Sequence, residues 1–335
     1  MRNSFKKIAL CALTCLLGAA LAVTTACSQT GPQEVGQPSR EGGATGLDTP
    51  ASHTFTDDLG REVTVGNPQR VVACMGSFAN TWELAGGTLV GASDDALSDY
   101  TLTSRDVAKI GDFSAPNLEQ IIALDPDFVI MTGASTGRDG AAGQTALKDG
   151  LEASGIKVAY FTVTTFEDYL RMLRICCDIT GRDDLYQKNG AEVKQRIDEV
   201  KAKAALASKA APKVLLMTTY SGGTRVQNSS TMTGTMLAEL GATNLADQQA
   251  SLLKDFSLEA VIDLDPEFIL VVPMGNDDEA ALKNLKSATE ANPAWAGLDA
   301  VKQGNYLTLD KGLFLYKPNA QWDKSYQALY DILYS

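Results

Sequence analysis

Two stretches of this chain are near copies of one another: NLEQIIALDPDFVIM at residues 117–131 and SLEAVIDLDPEFILV at residues 257–271, identical at seven of fifteen positions. Both read the same way. Asn117 or Ser257 supplies a side-chain acceptor that caps a short helix. An Asp-Pro pair then ends that helix, because the residue before a proline is pushed out of helical conformation. An apolar run follows that suits a buried strand. Copies 140 residues apart imply two structurally equivalent halves.

Outward from the copies the alternation continues. Val71–Met75, Phe128–Met131, Val158–Phe161, Val214–Met217, Phe268–Val272 and Tyr306–Leu309 read as strands. Asn80–Ala85, Ala146–Ser154 and Thr235–Leu240 read as helices between them. Strands alternating with helices predict parallel α/β sheets. Between the halves, Tyr186, Gly190, Val193, Ile197, Val200 and Ala204 recur every three or four residues within Asp183–Ala207. One apolar stripe on an otherwise charged segment predicts a single amphipathic helix, roughly 37 Å long at the helical rise. A stiff connector between equivalent lobes places a ligand in the cleft between them, with limited hinge motion.

The first 26 residues read as an export leader: Arg2, Lys6 and Lys7 precede an apolar run from Ile8 to Val23, and Thr24-Thr25-Ala26 leads into Cys27. The run is short for a membrane span. The Ala26-Cys27 junction resembles a bacterial lipobox, with Thr24 where Leu is usual, so Cys27 is expected to be lipidated; ordinary cleavage with a free Cys27 is the alternative. Residues 27–51, rich in Gly, Pro, Ser and Thr, read as a flexible tether. The expected divisions are then 52–180 for the first lobe, 181–209 for the linker helix and 210–335 for the second lobe.

The 335 residues, 44% of them hydrophobic, suffice for two domains of ordinary size with real cores. Formal net charge is −12, and lower still for a chain that has lost Arg2, Lys6 and Lys7 with its leader. So acidic a chain offers no basic patch for nucleic-acid phosphates. His53, read as the end of the tether, is the only histidine. A Ser-His-Asp or Cys-His group therefore has no base in the folded body, and histidine ligation of zinc, manganese or haem is excluded there. No phosphate-cradling glycine motif and no C-x-x-C pair is present. The acid pairs Asp94-Asp95 and Asp277-Asp278 read as solvated loop acids rather than a hydrolytic pair. Cys74, Cys176 and Cys177 fall in apolar or helical patterns and read as buried small hydrophobes. An enzyme is not expected, nor a resident cofactor or metal.

The stretch DDLGREVTV at residues 57–65, followed by Arg70-Val71-Val72, resembles the opening hairpin and first strand of the periplasmic-binding-protein family for ferric siderophores, haem and cobalamin. The 117–131 copy resembles that family's internal motif. LGATN at 240–244, NPAW at 292–295 and AVKQG at 300–304 resemble its second-domain landmarks. The resemblance implies an α/β fold of two Rossmann-like lobes with parallel sheets, joined by one long α-helix. It implies an extracytoplasmic solute-binding lipoprotein of an ABC importer, monomeric and held to the cell membrane by its lipid alone. Such a protein captures a ferric-siderophore-type iron chelate and delivers it to a permease dimer with its ATPase. Cobalamin or haem as cargo, or a ligand-sensing role, are the alternatives.

In the cobalamin-binding relatives the Glu of each copied motif pairs with permease arginines, and Glu119 and Glu259 occupy those places. One acid per lobe suits a symmetric two-subunit partner; the plainer role of each is to favour its own helix N-terminus. Expected ligand contacts are Tyr100, Phe113 and Arg138 from the first lobe, and Tyr220, Arg225, Lys311, Phe314 and Trp322 from the second. Aromatics would cover a flat or greasy chelate, and the cations would meet carboxylates or phenolates. Trp82 and Trp295 are assigned to packing. So few cations disfavour a triply charged catecholate complex.

Overall fold

The described chain opens on a hairpin: strand β1 (Ser52–Thr56) pairs antiparallel with β2 (Glu62–Gly66). The computed structural model describes residues 52–133, 144–207 and 210–335. His53 thus stands in a strand, not at the end of a tether. The turn is built on Asp57, whose carboxylate accepts from the amides of Leu59 and Arg61, from the Arg61 guanidinium and from the Tyr160 amide.

The first lobe carries β3 (Val71–Ala73), β4 (Leu89–Ala92), β5 (Ala108–Lys109), β6 (Phe128–Thr132) and β7 (Lys157–Phe161), all parallel, in the order β5-β4-β3-β6-β7. Its helices are α1 (Gly76–Leu84), α2 (Asp94–Asp99), α3 (Leu118–Ala123), α4 (Lys148–Ala153) and α5 (Phe166–Thr180). The second lobe orders β10 (Thr243–Asn244), β8 (Lys213–Tyr220), β11 (Phe268–Pro273) and β12 (Tyr306–Thr308) in parallel, while β9 (Gly223–Gln227) folds back antiparallel on β8. Strands covered on both faces are continuous apolar runs, which is why all six predicted strands are found. The antiparallel β9 escaped the strand pattern because its exposed edge is polar and its turn is the Gly222-Gly223 pair.

The two sequence copies fold as two structural copies. Asn117 Oδ1 accepts from the Gln120 amide at 3.1 Å, and Ser257 Oγ from the Ala260 amide at 3.2 Å. The capped helices are α3 and a second, Leu258–Leu264. Asp125 and Asp265, each ahead of its proline, leave the helix through left-handed φ values of 47° and 39°. The strands that follow enter their sheets in one register, Phe128 opposite Val71 and Phe268 opposite Val214.

The connector is helical from Asp183 to Leu206 but not α-helical throughout: α6 (Asp183–Tyr186) and α7 (Glu192–Leu206) flank a π segment, Gln187–Ala191. Within that turn the Asn189 carbonyl accepts from Tyr169 Oη at 2.9 Å, while Asn189 Nδ2 donates to the Leu84 carbonyl at 2.8 Å. The predicted stripe is largely the buried face, with Gly190, Val193, Ile197, Val200 and Ala204 inside and Tyr186 at its margin. Helix α8 (Met232–Glu239) and, after the Leu258–Leu264 helix (α9), α10 (Asp278–Thr289), α11 (Asp299–Lys302), α12 (Lys311–Phe314) and α13 (Trp322–Tyr334) complete the second lobe. Helix α13 returns to the connector, where Arg196 Nε meets Asp323 at 2.6 Å and Tyr326 Oη donates to Glu239 at 2.6 Å. Cys74, Cys176 and Cys177 are free and buried.

Tyr169→Phe removes the donor to a buried carbonyl, and the protein is expected to lose about 1–3 kcal/mol. A lower urea midpoint at unchanged slope is the measurement; an unchanged midpoint would mean the π segment does not need this bond.

Candidate ligand-binding cleft

The capped helices of the two copies each present a glutamate in their first turn. Glu119 and Glu259 are exposed, and among the described residues neither forms an ion pair; Ser257 Oγ approaches Glu259 at 3.2 Å. One uncompensated acid thus stands at the same point of each lobe.

A crevice of about 610 Å³ separates the lobes, walled by Asn80, Asp99 and Tyr100 on one side and by Asp310, Tyr316 and Lys317 on the other. Tyr316 and Lys317 of the second wall belong to the segment between α12 and α13, which crosses to the first lobe. Asn319 fixes that crossing: its Nδ2 donates to the Ser77 carbonyl at 2.9 Å and to Asn80 Oδ1 at 2.8 Å. Tyr100 Oη donates to the Lys317 carbonyl at 3.2 Å. Burial, and then the charge of Asp95, push the Tyr100 phenol well above its usual range; burial, and then Asp99, raise that of Tyr316. Both hydroxyls are therefore donors at neutral pH, not phenolates.

Of the residues expected to touch ligand, Tyr100 lines this crevice. Lys311 is committed within its own lobe, donating to Asp278 Oδ1 at 2.6 Å and to the Gly275 carbonyl at 3.0 Å. Arg225 lies over the Tyr220 ring at 5.6 Å, beside the β8–β9 turn. Phe113 is 38% exposed on the loop after β5. Two expectations are corrected. Trp322 is 1% exposed and packs edge-on against Phe166, and Phe314 is 6% exposed; both are core residues, since the amphipathic start of α13 and the end of α12 turn inward. Trp82 and Trp295 are packed as expected, 1% and 2% exposed. Arg138 and Cys27 lie outside the described residues.

Three residues of the cleft carry no sequence signal. Gln144, fully buried, accepts from the Thr132 amide at 2.8 Å and donates to the carbonyls of Cys74 at 2.8 Å and Phe113 at 2.6 Å. It ties together the ends of three strands beneath the cleft. Lys317 and Asn319 sit in LYKPN, which in sequence reads as a solvated turn between helices.

With that geometry the chain can be compared with known proteins. The family model described as periplasmic binding protein matches residues 71–313, and the chain belongs to that family. The Fe(3+)-citrate-binding protein YfmC of Bacillus subtilis is 25% identical over 264 residues, 78% of this chain and 79% of that one. A periplasmic heme binding protein of Pseudomonas aeruginosa superposes with a TM-score of 0.64 at 26% identity, over 80% of this chain and 93% of that one. Staphylococcus aureus SirA, solved with staphyloferrin B, superposes at a TM-score of 0.63 and 21% identity over 84% of this chain and 97% of its own, a likeness of fold.

Gln144→Ala strands one amide and two carbonyls, and is expected to lower stability by about 1–3 kcal/mol and to loosen the Phe113 loop. Faster amide exchange at residues 111–114 is the check; unchanged exchange there would remove Gln144 from the positioning of this loop.

Proposed function

We propose that this chain is the substrate-binding lipoprotein of an ABC importer, anchored outside the cytoplasm through Cys27, which carries an iron chelate of the ferric-siderophore or ferric-citrate class to a permease dimer. The observation that carries the delivery step is the matched pair Glu119 and Glu259: equivalent, exposed and without counter-charges. Two like acids on two like lobes complement two like basic pockets on a two-fold permease, and such pairing sets orientation and encounter rate. The iron-chelate cargo is supported by the relatives: YfmC is named for ferric citrate and SirA holds staphyloferrin B. Haem is the second cargo, supported by the Pseudomonas aeruginosa protein. The ligand contacts we assign are Tyr100, Phe113, Tyr220 and Arg225. Binding without turnover is part of the reading.

Titration of the mature chain with ferric citrate, a ferric hydroxamate, a ferric catecholate, haem and cobalamin, by Trp quenching corrected for ligand absorbance and by calorimetry, is expected to give one-to-one saturation by an iron chelate. Chemical conversion of the bound chelate would sink the reading. The double reversal E119K/E259K is expected to leave the dissociation constant within about twofold, yet to cut cellular uptake by about tenfold or more; full uptake would end the docking assignment.

A further inference from the structure

Lys317 lines the interlobe crevice, yet among the described residues its ammonium makes no hydrogen bond and no ion pair within 4.0 Å. Its basic neighbours are engaged: Lys324 donates to Gln321 Oε1 at 2.8 Å, and Lys311 to Asp278 at 2.6 Å. The acid whose charge reaches Lys317 is Asp95 of the first lobe. Asp95 Oδ2 accepts from the Gly76 amide at 2.8 Å. The Ser93 hydroxyl bears on the same Asp95 carboxyl and the Ser77 hydroxyl on Tyr100, both from buried positions.

Burial pulls the Lys317 pKa below the usual lysine range, and Asp95 restores only part of it; burial likewise lifts Asp95. A desolvated cation and a desolvated acid held apart are each costly. A polar guest that brings an anionic oxygen to the ammonium removes the cation's part of that cost.

We propose that Lys317 is the charge-reading residue of the crevice, taking a carboxylate arm of the bound iron chelate. The proposal rests on the importer reading above and narrows its cargo to chelates that present a carboxylate. That chemistry has two sources, a chelating hydroxy acid such as citrate and the propionates of haem. In the empty state Asp95 is the acid that competes with the guest for Lys317.

The test uses the mature full chain, its Lys317→Met, Lys317→Arg and Asp95→Asn variants, and three probes: ferric citrate, haem and a neutral ferric trihydroxamate. Lys317→Met is expected to weaken whichever carboxylate probe binds by about tenfold or more, and the trihydroxamate by less than about twofold. Lys317→Arg recovers most of the loss, and Asp95→Asn tightens the carboxylate probe. The melting temperature of empty Lys317→Met equals or exceeds that of the parent, since no ion pair is lost. Which carboxylate probe responds separates the hydroxy acid from haem. Unchanged carboxylate binding in Lys317→Met overturns the proposal, as does equal weakening by Asp95→Asn, which would make the two residues a structural pair. Binding of the trihydroxamate alone overturns it and leaves the importer reading standing; binding of no probe ends both.

Discussion

Asn319 donates both hydrogens of its side-chain amide to α1, one to the Ser77 carbonyl and one to Asn80 Oδ1, while its own φ of 50° turns the chain into α13. Few residues can do both. The left-handed conformation favours Gly or Asn, and only Asn also brings two donors. Because the residue is 1% exposed, those bonds form in surroundings where water cannot replace them. They set where Tyr316 and Lys317 stand opposite Tyr100, so the crevice has its second wall. They also aim α13 back along the connector, where Arg196 and Asp323 join at 2.6 Å. The lobes are thereby crossed twice by the chain, once outward through the connector and once back through Asn319.

What the sequence disclosed and what it hid divide along one line. Periodic features were legible because they answer to one local rule each: the Asn117 and Ser257 caps, the Asp-Pro stops, the buried strands and the stripe from Tyr186 to Ala204. The π segment was not legible, since it arises from the tertiary partners Tyr169 and Leu84 meeting Asn189. Gln144 and Lys317 were hidden for the same reason. Each is a polar residue in a stretch without clear periodicity, and its surroundings come from elements far along the chain. Trp322 misled in the opposite direction: an aromatic near the expected cleft fits a ligand contact equally well until Phe166 is seen beneath it.

The repeat also separates what the lobes share from what they do not. The copies keep the cap, the first-turn glutamate, the left-handed aspartate and the strand register in common. The walls of the crevice differ: the first lobe brings Asp99 and Tyr100 at the end of α2, the second brings Tyr316 and Lys317 on a crossing segment without a counterpart. A two-fold partner requires the shared part to stay alike, whereas an asymmetric cargo requires the remainder to diverge.

Rigidity decides how such a cleft can discriminate. The first half of the connector is tied to the first lobe through Asn189 and Tyr169, and its second half to α13 through Arg196 and to Glu239 through Lys201 at 3.0 Å. A helix fastened along both halves resists bending, and large closure would also break the Asn319 bonds. Selectivity then cannot come from wrapping a pliant site around each guest. It has to stand ready in groups placed before the guest arrives, since preorganised groups lose little freedom on binding. A desolvated lysine without a partner is such a group: it lowers the stability of the empty protein slightly, and only a guest with the right charge at the right place returns that energy as affinity.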